Sequence, residues 1–116
     1  MHDLNKLKLW HEAIVLTTKI YQLTASFPME EKYGLTSQIR RAAVSIASNI
    51  AEGAGRNSNR EFIRFLAISN GSAYELQTQL IISRNLKLIG RSIDSDLDHI
   101  DKIQKMNYLL QQSLKS

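Results

Sequence analysis

Proline occurs once in this chain, at Pro28, and the five glycines fall at 34, 53, 55, 71 and 90. These residues are the strongest interrupters of regular structure, so the long intervals between them set what the chain can become. Apolar residues recur through those intervals with a period near 3.6, which predicts helices joined by short loops. The first helix spans about Leu7 to Ser26, with Trp10, Ala13, Ile14, Thr17, Ile20, Tyr21 and Thr24 at helical spacing. Pro28 stops it, residues 28–33 form a brief turn, and Gly34 redirects the chain. A second helix runs from Leu35 to Ala54, where Gly53 and Gly55 break it. Ser58 and Glu61 have the Ser-x-x-Glu spacing of a capping box and open a third helix from Asn59 to Lys87, with Gly90 as the stop. Ser95, Asp96 and Asp98 supply a cap and negative charge to a fourth helix, Ser95 to Leu114. The Asn70-Gly71 pair lies between segments that keep the helical period, so it is read as helix and not as a hairpin turn.

Four helices with short connections pack most simply as an antiparallel up-down-up-down bundle, here one all-α domain over residues 1–116. The absence of cysteine excludes disulfides, thiol catalysis, zinc fingers and iron-sulfur clusters. No apolar run reaches the roughly 20 residues of a membrane span and the first residues are polar, so a soluble, cytoplasmic protein with no membrane partner is expected. Fifteen Lys and Arg stand against 11 Asp and Glu, a net charge of +4, which makes an acidic partner such as RNA or DNA plausible.

The apolar set of the second helix, Ile39, Ala42, Ala43, Val44, Ile46, Ala47, Ile50 and Ala51, covers an arc of roughly 200 degrees, about twice what one bundle core requires. The third helix sets a core face of Phe62, Phe65, Leu66, Ser69, Ala73, Leu76 and Leu80 beside a second stripe of Ile63, Ala67, Tyr74 and Ile81. This surplus predicts a homo-oligomer through Val44, Ala47, Ala51, Ile63, Ala67, Tyr74 and Ile81. The competing reading is deeper burial of both helices within one bundle. Gly71 costs roughly 1 kcal/mol in helix propensity, which close approach of another helix at Ser69, Gly71, Ser72 and Ala73 would offset.

The remainder of the second helix is polar, with Ser37, Gln38, Arg41, Ser45, Ser48, Asn49 and Glu52. Either it forms a polar site at the bundle end, or Asn49 and Glu52 bond to loop backbone or to Arg40 and Arg41 and pin the turn into the third helix. Arg40, Ser45, Asn49, Glu52 and Glu75 are the candidate network, with Arg40 and Glu75 as an internal ion pair. Arg41, Arg56, Asn57, Arg60 and Arg64 are the candidate nucleic-acid residues; Arg60 and Arg64 share a helix face, and Asn57 and Ser58 add donors at a helix start. The alternative is a solvated surface. Catalysis finds less support: Asp96-x-x-His99 is a lone pair on an acidic turn, His2, His11 and His99 are scattered, and Gly53-Ala54-Gly55-Arg56 lacks the strand and Lys-Ser/Thr of a phosphate loop. No enzyme, metal or cofactor is expected.

The stretch from Tyr33 to Gly53, YGLTSQIRRAAVSIASNIAEG, preceded by Phe27-Pro28 and followed by Phe62, Phe65, Leu66, Gly71, Ser72, Glu75, Leu76, Gln79 and Leu80, resembles the signature of the 23S rRNA intervening-sequence protein family, also called four helix bundle proteins. Trp10, Ala13 and Tyr21 suit the family's first helix, and many relatives have proline where this chain has Ala47, implying a straighter second helix here. The resemblance implies an antiparallel four-helix bundle assembled as a homopentamer. A similar protein, the accessory variability determinant of diversity-generating retroelements, forms a basic pentamer that binds nucleic acid and a reverse transcriptase. By that kinship alone, a reverse transcriptase enters as a possible protein partner; a scaffold or adaptor without nucleic-acid binding is the alternative.

Overall fold

The computed structural model describes residues 1–115 and contains four α-helices in the order α1 (Lys8–Thr24), α2 (Leu35–Ala54), α3 (Asn59–Asn85) and α4 (Asp94–Leu114). Short 3-10 turns at Leu4–Lys6 and Met29–Glu31 precede α1 and α2, and no strand occurs among the described residues. Each helix packs against its neighbour in sequence, and α1 against α4 closes the four into an elongated bundle of 45 × 24 × 20 Å.

The antiparallel register is written in hydrogen bonds between helices. Thr17 Oγ1 lies 2.8 Å from the Ala13 carbonyl of its own helix and 3.1 Å from the Ala43 carbonyl, so its one proton is shared between α1 and α2. Ser69 Oγ donates to the Ile46 carbonyl at 2.8 Å and the Ser45 and Ser72 hydroxyls meet at 2.8 Å, tying α2 to α3. Asn107 Nδ2 donates to the Leu66 carbonyl at 2.9 Å, tying α3 to α4. A side chain this short reaches a facing carbonyl only where the backbones run close, and the small residues of α2 permit that approach. Gly53 marks the limit: a Cβ placed there would lie 2.8 Å from both Phe62 Cδ1 and Phe65 Cβ. Gly53 is therefore the buried penultimate residue of α2 and the point where α3 leans on it, and the helix ends at Ala54 with Gly55 as its cap, as expected.

Between these ties lies an apolar core that includes Leu9, Ala13, Leu16, Ile20, Ile39, Ile46, Ile50, Phe62, Leu66, Leu76, Leu80, Ile100 and Ile103. The buried stripe of α1 is Leu9, Ala13, Leu16, Ile20 and Leu23, rotated from the expected one: Trp10 is half-buried, and Ile14 and Tyr21 face outward. On α2 the wide apolar arc is used mostly within the chain. Ala42, Ala43 and Ala47 are buried with Ile39, Ile46 and Ile50, leaving Val44 exposed and Ala51 half-buried. The surplus expected on α2 is thus small, because α2 packs against α1 on one side and α3 on the other.

The helix ends follow local chemistry. Ser58 Oγ accepts from the Glu61 amide at 3.2 Å, as its spacing predicts. Two other ends differ from expectation. α3 is closed by Lys87 in the left-handed region (φ 61°), with Leu88 N donating to the Ser83 carbonyl and Lys87 N to the Arg84 carbonyl; Gly90 plays no part in this closure. At α4 the Ser92 hydroxyl accepts from the Asp94 amide, while Ser95 lies inside the helix. Asp96, in the first turn, is 3% exposed and pairs with Arg91 at 2.8 Å, so the acidic turn holds a buried carboxylate capped by an exposed arginine. That hydrogen bond raises the Arg91 pKa above its ordinary value.

The α1–α4 seam is joined by charge. His99 Nε2 donates to Glu12 Oε1 at 2.7 Å and Lys102 Nζ lies 3.4 Å from the same oxygen. The bond from His99, with help from Lys102, holds the Glu12 carboxyl below its usual range. A carboxyl depressed in the fold adds stability above its unfolded pKa, near 4.3, which is lost as pH falls through the lower folded value. Glu12→Gln should therefore cost about 1 kcal/mol of stability at neutral pH for this partly buried pair, and flatten the acid limb below about pH 5; parallel melts of both proteins from pH 3 to 7 check this. Gly53→Ala should destabilise by about 1 to 3 kcal/mol through overpacking on Phe62 and Phe65, in spite of alanine's better helix propensity, read by urea denaturation.

Candidate nucleic-acid interface

The α2–α3 corner carries Arg56, Asn57, Arg60 and Arg64. The connection is four residues long, so Arg56 leaves the end of α2 just as α3 begins. Its guanidinium lies 4.7 Å from the centre of the Phe65 ring and Nη2 is 3.7 Å from Glu52 Oε1. Phe65 is half-buried beside Gly53, so the aromatic shelf that positions Arg56 is set by the same close approach that shapes the corner. Arg60 and Arg64 project one turn apart from the first turns of α3; both are exposed and neither has a carboxylate within 4 Å among the described residues. Asn57 is exposed, while the Ser58 oxygen is occupied by its capping bond. The N-terminal segment folds over this corner: His2 N donates to the Ala54 carbonyl at 2.9 Å, and His2 Nε2 is 3.3 Å from Asn59 Oδ1.

Arg41 does not join this group. With Ser45 opposite Ser72 and Gly53 opposite Phe62, it stands level with the middle of α3. Fifteen residues of helical rise separate it from Arg56, roughly 20 Å along the bundle.

The candidate polar network divides into separate pieces. Arg40 turns toward α1 and not toward Glu75: its Nε donates to Thr24 Oγ1 at 2.8 Å and Nη2 to the Tyr21 carbonyl at 3.2 Å. Glu75 instead accepts from Gln79 Nε2 at 3.4 Å, one turn along its own helix. Asn49 Nδ2 donates to both the carbonyl and the hydroxyl of Ser45, and Glu52 pairs with Arg56, so neither is held by Arg40 or Arg41. Asp96 and His99 are likewise parted, one to Arg91 and the other to Glu12, and no group of three His, Asp or Glu able to hold a metal occurs among the described residues.

Of the candidate interface residues, Val44, Ala67 and Tyr74 are exposed, Ala51, Ile63 and Ile81 half-buried, and Ala47 is 7% exposed and belongs to the core. Gly71 is exposed, and a Cβ there would meet nothing within 4 Å, so no helix of this chain approaches it. The largest exposed apolar side chains near Tyr74 come from α4. Tyr108 and Leu109 are 62% and 65% exposed and flank a groove of about 440 Å³ with Asn70, Tyr74 and Gln104. Sequence reasoning passed over both. They fall off the stripe of Ile100, Ile103 and Leu114 that α4 buries, and that mismatch of phase was the available signal.

Fold and surface together define an antiparallel helical bundle with an arginine-bearing corner and an exposed tyrosine-lined groove. The family model for the 23S rRNA-intervening sequence protein matches residues 5–109, and the chain belongs to that family. A crystal structure of a protein of unknown function from the S23 ribosomal protein family of Bacteroides thetaiotaomicron superposes with a TM-score of 0.63 at 20% identity, over 91% of this chain and 94% of that one. No curated protein matches the chain. No described helix is long and apolar enough to cross a membrane.

Proposed function

We propose that the chain is a non-catalytic, self-associating protein that binds nucleic acid with little sequence preference through the α2–α3 corner. The observation that carries this reading is the pair Arg60 and Arg64, exposed one helical turn apart and unpaired, beside Arg56 on its Phe65 shelf. Guanidinium groups in this state meet phosphate without first giving up a carboxylate. Glu52 and Glu61 stand close by in sequence and keep the corner's field modest, so repetition around an oligomer is what would make binding firm. With two phosphates neutralised per chain, affinity should fall about tenfold between roughly 50 and 200 mM salt, and more steeply when several copies share one strand. Fluorescence anisotropy with a structured RNA checks this; the Arg60→Glu, Arg64→Glu double variant should lose both the affinity and its salt dependence. Unchanged affinity in that variant would remove the corner as the site.

Self-association is supported by Tyr74, Tyr108 and Leu109, three exposed large side chains of α3 and α4 that flank one groove together with Asn70, Gln104 and the Asp101–Lys105 ion pair. The family resemblance makes the pentamer the expected assembly. Light scattering should return about five times the 13.2 kDa chain mass, and Tyr108→Glu should reduce it. Gly71→Ala offers an independent reading: on a free face it should add up to about 1 kcal/mol of stability, whereas beneath a neighbouring copy it should give no gain. If the assembly forms and RNA binding does not, the corner is solvated surface and the protein is a scaffold whose partner surface is this groove.

A further inference from the structure

On the other side of α2, away from the corner, lies a groove of about 430 Å³ between the end of α1 and the polar stripe of α2. Arg40 is its fixed point. The guanidinium is half-buried and held in three ways: by Nε on Thr24, by Nη2 on the Tyr21 carbonyl, and by the Tyr21 ring 4.5 Å away. Thr24 donates its own proton to the Ile20 carbonyl at 2.8 Å, so its oxygen is committed as acceptor to Arg40. All of these partners are neutral. Among the described residues Arg40 has no carboxylate within 4 Å, and its Nη1 makes no hydrogen bond. A cation drawn partly out of water ordinarily takes a counter-charge, and this one has none.

The surroundings add cations and no anions. Arg41, exposed and unpaired, lines the same groove, followed two turns along α2 by Ser48 and Asn49. A second, smaller groove on the other side of Arg40 is lined by Lys32 and Thr36, and no Asp or Glu lines either one. We propose that the Arg40 groove is a binding site for a phosphate monoester or free phosphate. Arg40 supplies a pre-oriented guanidinium and Arg41 a second charge that swings in, while Ser48 and Asn49, about two turns further along α2, border the groove beyond the reach of the same phosphate. One bidentate arginine suffices for a carboxylate; two guanidiniums match the charge of a phosphate dianion. An internal phosphodiester carries one charge and continues on both sides, so a terminal phosphate suits a concave site better. The source is a small molecule or the phosphorylated end of a nucleic acid. This inference stands apart from the corner's role, since none of the corner's arginines lines the groove.

The test is an amide and arginine-Nε NMR titration at constant ionic strength, using inorganic phosphate, a 5′-phosphorylated short oligonucleotide and the same oligonucleotide without its phosphate. Saturable shifts of Arg40 Nε–H and of the Arg41 amide are expected. Saturation by inorganic phosphate assigns a small-molecule source; saturation by the phosphorylated oligonucleotide alone assigns a nucleic-acid end. Arg41→Gln, at an exposed position, should weaken binding about tenfold, while Arg60→Glu with Arg64→Glu should leave the shifts caused by inorganic phosphate unchanged. Arg40→Lys keeps a charge but loses the fork and should bind as weakly or worse. Shifts that rise linearly, as with chloride, or an unaltered affinity in Arg41→Gln, would overturn the proposal. So would saturation by an acidic peptide when phosphate gives none.

Discussion

The bundle depends on short polar side chains reaching the backbone of the next helix. A helical carbonyl has a second lone pair after its own ladder bond, and Ser69 and Asn107 each use one on a neighbouring helix, while Thr17 shares its proton between such a carbonyl and one on its own helix. Apolar packing tolerates sliding, since one leucine serves nearly as well as another a turn away. A buried hydroxyl or amide does not: displaced by one residue it loses its acceptor and stays unsatisfied. Ser69 and Asn107 are each 1% exposed, so the penalty for a slipped register is nearly undiluted by water. These two bonds fix the stagger of α3 against the helix before it and the helix after it, around which the rest of the core is filled.

That stagger decides where the charges fall. Because α2 and α3 close on each other at Gly53, the corner presents Phe65 as a shelf and sends Arg56, Arg60 and Arg64 outward. At the opposite side of α2, Thr24 and the Tyr21 carbonyl draw Arg40 down against α1. Two arginines adjacent in sequence thus have different lives, Arg40 immobilised and Arg41 free, while Arg41 and Arg56 lie too far apart to touch one phosphate.

Much of the fold was legible because its punctuation is local. Pro28, the Ser58 to Glu61 spacing and the unbroken period between them are properties of a few adjacent residues, and α2 falls where they place it. Which face of a helix is inside is a property of its neighbours. The α1 stripe was misplaced because its apolar face is broad enough to admit two phases, and only packing against α2 and α4 selects Leu9, Leu16 and Leu23. The breadth of the α2 arc was real, but alanines draw neighbours close, so two flanking helices absorb it. The polar network was least legible: an arginine spans several ångströms in any direction, and sequence spacing along α2 says nothing about whether it reaches α1 or α3. Asn107 was invisible for the opposite reason, being one polar residue on a stripe otherwise apolar.

The link from α3 to α4 has a topological consequence. Lys87 reverses the chain in a left-handed conformation and Leu88 bonds back to Ser83, while at the far end Arg91 grips Asp96. To lend α4 to another copy, the link would have to straighten, breaking the first contact and stranding a buried carboxylate at the second. The connection acts as a latch on chain exchange, so a chain that folds this way keeps its own fourth helix.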